Sequence, residues 1–179
     1  MDGTKGACFY NNMGFGETAS YLRTYLNKTE RLDDGAKMLI AARCAGLWTG
    51  ASAAKRGLIP DLFLSKCPHC HGNVNTNWLI SYGHILCSCT TWAAERATHL
   101  EGVMSTHLQG HGEVANAALL LGGKIGTHAS LPNWQGTIAT KVIRFFNAIA
   151  AEYRAAIWRH ASSESLGPSG HGSSSQGPG

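Results

Sequence analysis

Four of the chain's six cysteines lie in two short runs: Cys67-Pro68-His69-Cys70 and, after thirteen intervening residues, His84-Ile85-Leu86-Cys87-Ser88-Cys89. A C-x2-C turn folds back on itself, aims two thiolates at one point and turns backbone N–H groups toward the sulfurs. An H-x4-C segment lets an imidazole and a thiolate reach the same ion. Three sulfurs and one nitrogen suit tetrahedral zinc. The expected ligands are therefore Cys67, Cys70, His84 and Cys89, with Cys87 competing with Cys89 for the fourth place. His69 and His71 flank the first pair as loop residues. Four protein ligands leave no open position for water, so the zinc is structural and not hydrolytic. Its binding is worth on the order of 10 kcal/mol to local folding, and removing it is expected to unfold the stretch from about Leu64 to Trp92.

Other chemistries find poor material, so no enzyme activity is expected. Asp33-Asp34 is the only adjacent acidic pair, and it sits at a helix start, not on a hairpin that brings carboxylates together on magnesium. Downstream of Trp92 there is no Asp, and there is neither a phosphate-binding G-x-x-x-x-G-K-[ST] loop nor a G-x-S-x-G elbow. Cys67 and Cys70 lack the βαβ surroundings of a redox pair.

The elements that must position the ligands read as helices. Asp33 or Asp34 is expected to cap a helix running to about Trp48, with Met38, Leu39, Ala42, Ala45 and Leu47 as its apolar positions. A shorter helix is expected near Ala19–Asn27, and Gly57 and Pro60 break the chain before the cysteines. Thr90 or Thr91 is expected to cap the next helix, where Trp92, Arg96, Leu100, Val103 and Met104 recur at three-to-four spacing. A helix from Glu113 to Leu121 stops at Gly122-Gly123, and 126–136 reads as a loop. The last helix, about Thr137–His160, carries Ile138, Val142, Phe145, Phe146, Ile149, Tyr153 and Ile157 on one face, with Lys141, Arg144, Glu152 and Arg159 opposite.

The chain has 179 residues, 44% of them hydrophobic, and a formal charge of +4. That supports one modest core and permits, without demanding, nucleic-acid contact. No apolar run approaches the roughly 20 residues of a membrane-spanning helix. Met1-Asp2-Gly3-Thr4-Lys5-Gly6 shows no basic stretch leading into an apolar one, which argues for an intracellular location, cytoplasmic or nuclear, where clustered thiols favour metal over disulfide. The expected fold class is mainly α: a small helical domain organised around a CCHC-type zinc site. Its parts are a lead-in (1–18), an N-terminal helical segment (19–60), the zinc-binding module (61–108), a C-terminal helical segment (109–161) and a disordered Gly/Ser-rich tail (162–179).

The run Cys67-Pro68-x-Cys70 … His84-Ile85-Leu86-Cys87-Ser88-Cys89-Thr90-Thr91-Trp92-Ala93-Ala94-Glu95-Arg96 resembles the zinc-binding segment that follows the polymerase domain in reverse transcriptases of non-LTR (LINE-type) retrotransposons. Ala41–Gly50 resembles that family's helix ending in an R-x-G-x-x-T-type turn. Leu119–Gly123 and the closing aromatic helix are also similar to family elements. The resemblance covers roughly Lys37–His160, with its specific part in the central thirty residues. Where the family places an acidic-Thr pair before the histidine, this chain has Leu79-Ile80-Ser81-Tyr82-Gly83, so no carboxylate is in place to orient His84.

The resemblance implies the C-terminal part of a retrotransposon polyprotein, without the polymerase aspartates, that handles RNA or DNA beside the polymerase part of the same polyprotein. Lys55, Arg56, Lys66 and Arg96 are the candidate phosphate contacts, and Trp78, Tyr82 and Trp92 either offer stacking faces or pack around the metal. The alternatives are a zinc-stapled protein-interaction scaffold, whose Phe145/Phe146 helix docks on the missing polymerase part, and an element remnant without activity.

Overall fold

The computed structural model describes residues 32–74, 77–124, 131–132 and 134–164. The lead-in at 1–18, the expected helix near Ala19–Asn27 and the Gly/Ser-rich stretch from 165 onward lie outside these residues. The described part is mainly helical, and its only extended pairing is an isolated bridge between Lys66 and Asn73.

Helix α1 spans Asp33–Arg43 and is shorter than the expected run to Trp48. Neither aspartate caps it. Leu32 occupies the N-cap position without a side-chain bond, and both acids lie in the first turn, where their charge favours the helix dipole. Ala45 (φ 52°) ends the helix in left-handed backbone, with Gly46 N–H bonded to Ala41 O at 2.7 Å. A five-residue helix, α2 (Gly50–Ala54), was not foreseen. It is held by a capping box in which Thr49 Oγ1 accepts from Ser52 N–H and Ser52 Oγ accepts from Thr49 N–H. A single 3₁₀ turn, Asp61–Leu64, leads into the cysteine loop.

Helix α3 (Trp78–Gly83) runs directly into a π-turn at His84–Ser88. A 3₁₀ turn (Thr90–Trp92) follows, then α4 (Ala93–His99) and α5 (Glu101–His107), which are separated at Leu100. The expected Thr90 or Thr91 cap is absent: these threonines lie inside the 3₁₀ turn, which carries no side-chain cap. Helix α6 (Glu113–Leu120) ends as expected at Gly122-Gly123. Gly122 takes φ +83°, and the Gly123 N–H reaches back to Ala118 O at 2.8 Å. Part of the expected loop at 126–136 is a second π-turn, Trp134–Ile138, that feeds α7 (Ala139–Glu164).

The long helix α7 organises the core. All seven residues of its expected apolar face are buried, whereas Arg144, Glu152 and Arg159 opposite are exposed. Alpha-1 packs against it at backbone distance. A Cβ on Gly35 would fall 2.1 Å from Ile143 O, and the Gly35 N–H donates to Asn147 Oδ1. Met38, Leu39 and Ala42 of α1 join Ile143, Phe146 and Ile149 in the core, each large side chain contributing about 1.5–3 kcal/mol by burial. Phe145 and Phe146 are 0% and 1% exposed. They therefore complete the chain's own core and do not form the docking face that the scaffold alternative expected.

Candidate metal centre

The cysteine loop folds as the C-x2-C spacing demands. Cys67 N–H bonds Gly72 O and His71 N–H bonds Cys67 O, both at 2.9 Å, while Val74 N–H closes the loop onto Ser65 O. The turn needs left-handed backbone at His71 (φ 57°), a conformation that histidine tolerates better than most residues. This geometry aims N–H groups at the sulfurs: His69 N–H at Cys67 Sγ and Gly72 N–H at Cys70 Sγ, each at 3.4 Å.

The second pair comes from the π-turn. Its i-to-i+5 bond, Cys89 N–H to His84 O at 2.7 Å, brings residues 84 and 89 one wide turn apart on the side facing the loop. The ligand atoms of Cys67, Cys70, His84 and Cys89 all lie within 4.8 Å of one another. Cys67 Sγ is 4.0 Å from Cys89 Sγ, and Cys70 Sγ is 3.2 Å from His84 Nε2. Tetrahedral zinc with bonds of about 2.3 Å to sulfur and 2.0–2.1 Å to nitrogen requires edges of about 3.8 Å between sulfurs and about 3.5 Å between sulfur and nitrogen. The donor set fits a metal ion, and zinc is compatible with it in type and spacing.

Cys87 is not part of the group. It is half-buried, and burial, with Glu113 adding to it, pushes its thiol up to about 12, so it stays protonated. Cys67 and Cys89 split their acidities. The bond from the Cys67 thiol, aided by His84, the Thr91 N–H and Cys70, holds Cys89 well below the ordinary thiol range. The same contact, together with burial, drives Cys67 up.

Two residues around the ligands were not foreseen in these roles. Ser88 Oγ lies 3.2 Å from His84 Nδ1. With a metal on Nε2, Nδ1–H would donate to that hydroxyl, which stands where a carboxylate would otherwise orient the ring. The signal was present, since Ser88 stands four residues after His84 and such positions share a helical face. Arg96 is only 9% exposed, and it donates through Nη1 to Ile85 O (3.3 Å) and through Nη2 to Cys89 O (2.7 Å).

The burial of Arg96 corrects its placement among phosphate contacts, because its guanidinium faces the interior. Of the other three cations, Lys55 and Arg56 are exposed, Arg56 lying over the Trp48 ring at 4.8 Å, and Lys66 is half-buried at the mouth of the loop. The stacking faces are corrected as well. Tyr82 and Trp92 are 1% and 4% exposed and pack in the core, while the side chain of Trp78 lies outside the description.

Helix α7 closes over the loop. His69 sits between Trp92 (5.1 Å between ring centroids) and Tyr153 (4.6 Å, stacked), and burial pushes its imidazole down to about 4, so it is neutral. His160 packs on Phe63 at 4.4 Å, with Nε2 3.3 Å from Pro68 O. No family model matches the chain, and neither the curated proteins nor the solved structures contain a match.

Proposed function

We propose that this chain is a structural zinc module, associated with nucleic acid, from the C-terminal part of a non-LTR retrotransposon reverse transcriptase polyprotein. The observation that carries the zinc reading is the convergence of three sulfurs and an imidazole, from a loop and a π-turn, within 4.8 Å of one another. Zinc there joins the cysteine loop to α3 and α4. Its four protein ligands give it no catalytic position, and the module works by shape. The retrotransposon origin rests on the sequence resemblance across Cys67–Arg96.

The nucleic-acid reading rests on that resemblance and on the exposed cations Lys55 and Arg56, the latter stacked on a Trp48 ring that is 39% exposed. Fluorescence anisotropy of labelled single-stranded RNA and DNA with the zinc-loaded chain tests it. Binding should weaken steeply with salt as counterion release is lost, and should fall further on Lys55→Glu/Arg56→Glu. No anisotropy change at low salt removes this half of the proposal.

One observation favours the interaction-scaffold reading as the second choice. An apolar groove of about 330 Å³ lies between α1 and α7, lined by Met38, Leu47, Trp48, Leu58, Ile157 and Trp158. Self-association in light scattering, without nucleic-acid affinity, would select this reading over the first.

A further inference from the structure

The π-turn that delivers His84 and Cys89 ends abruptly. Cys89 leaves helical backbone (ψ 119°), so the turn's last carbonyls are not followed by a continuing helical ladder. A buried guanidinium from α4 bridges the two ends of that turn, with its terminal nitrogens on Ile85 O and on Cys89 O, which also accepts the Trp92 N–H at 3.2 Å. One of these acceptors belongs to a ligand residue and the other follows His84 directly. A planar fork with fixed donor directions sets the spacing between the two carbonyls, which a single flexible ammonium cannot do. The charge fits too: three thiolates around a divalent ion carry a net −1, and Arg96 brings +1 to the carbonyl of one ligand.

We propose that Arg96 is a positioning residue for the metal centre: its guanidinium fixes the span of the π-turn, and hence the separation of His84 Nε2 from Cys89 Sγ, and it offsets the negative charge of the loaded site. This rests on the zinc reading. Partners of metal ligands commonly govern metal affinity by 10–100-fold, through orientation and basicity. Trp92 and Leu100, four residues either side on the same helical stretch, supply the apolar packing of that face, so Arg96 itself can serve the turn.

The test uses the full chain, with zinc affinity measured by competition against a chromophoric chelator and site geometry read from the visible absorption of the cobalt-substituted protein. Arg96→Met should bind zinc about 10–100-fold more weakly, with shifted and weakened cobalt bands. Arg96→Lys, which keeps the charge and loses the fork, should recover part of the affinity while its cobalt bands stay displaced. Wild-type affinity and cobalt bands in Arg96→Met overturn the proposal. If Arg96→Met fails to fold, Arg96→Lys decides: displaced bands support the positioning role, and unchanged bands with unchanged affinity overturn it. A wild-type chain that takes up neither zinc nor cobalt refutes the zinc reading itself, a separate and recognisable outcome.

Discussion

Stripping the metal with a strong chelator should melt the cysteine loop and the π-turn while leaving the α1–α7 pair folded. The loop from Lys66 to Asn73 is held by few interactions of its own. Backbone bonds at Cys67–Gly72 and Val74–Ser65, which make the Lys66–Asn73 bridge, and at His71–Cys67 add about 1 kcal/mol each, or about 3 kcal/mol in all. Ordering eight residues of backbone costs about 1.5 kcal/mol each, or about 12 kcal/mol. The shortfall of about 9 kcal/mol lies just below the roughly 10–16 kcal/mol that structural zinc supplies. By contrast, α1 and α7 share Leu39, Ala42, Ile143, Phe146 and Ile149, all buried in the core.

Amide hydrogen exchange with and without chelator is the direct assay, with metal content measured in parallel. Protection should collapse across 65–74 and 84–92 and persist in 36–43 and 142–150. An exchange pattern and a melting temperature unaffected by verified metal removal would refute the energetic argument, because the loop would then be stable on bonds that sum to too little.

Cys89→Ser and Cys67→Ser should lose stoichiometric zinc, whereas Cys87→Ser should keep it, since the Cys87 thiol lies outside the donor group; metal analysis of the purified variants decides. Gly35→Ala should destabilise by about 1–3 kcal/mol or more in urea unfolding, because the new methyl group meets the Ile143 carbonyl and α1 must move off α7. Tyr153→Phe should cost about 1–2 kcal/mol by the same assay, since the 2.6 Å bond from its hydroxyl to Trp48 O is lost while the ring stays packed. Arg154, chiefly through its hydrogen bond, holds the Asp34 carboxyl below its usual value, so the pair favours folding above the unfolded carboxyl range and loses that contribution as pH falls through the lowered value. Because both side chains are about half exposed, Asp34→Asn should shift the pH 7 melting temperature only slightly, and by less as pH falls through the lowered carboxyl value.

The sequence was most legible where chemistry and spacing coincide. Four ligand residues at C-x2-C and H-x4-C spacing point to one centre without any knowledge of the helices between them. The period of α7 was equally plain, because seven apolar residues recur on one face over some twenty positions. Burial of polar and aromatic groups was read less well. Arg96 was counted with the surface cations, although it stands in the same three-to-four series as Trp92, Leu100 and Val103, all buried. A charge in an apolar series signals a buried partner, and here the partners are backbone carbonyls that no sequence pattern displays. Tyr82 and Trp92 could pack or stack on residue type alone, and the tertiary packing, which no local pattern displays, sends both inside. The short helix at Gly50–Ala54 was hidden by a glycine at its first position, although Thr49 and Ser52 carry the capping signal three residues apart.

The metal centre also reaches further than its own loop. Tyr153 stacks on His69 and donates its hydroxyl to Trp48 O, while Tyr82, two residues before His84, donates to Leu47 O at 3.2 Å. Both bonds fix the Leu47-Trp48 segment that walls the apolar groove beside α1. One tyrosine is set by its stacking on the loop that carries Cys67 and Cys70, and the other by α3, which runs into the π-turn that carries His84. Loss of a bound metal should therefore loosen the groove wall from two sides, even though no groove residue is in the donor group. The Trp48 environment, followed by fluorescence during chelation, should change along with the loop, whereas the residues of α1 on the opposite side of that groove should not.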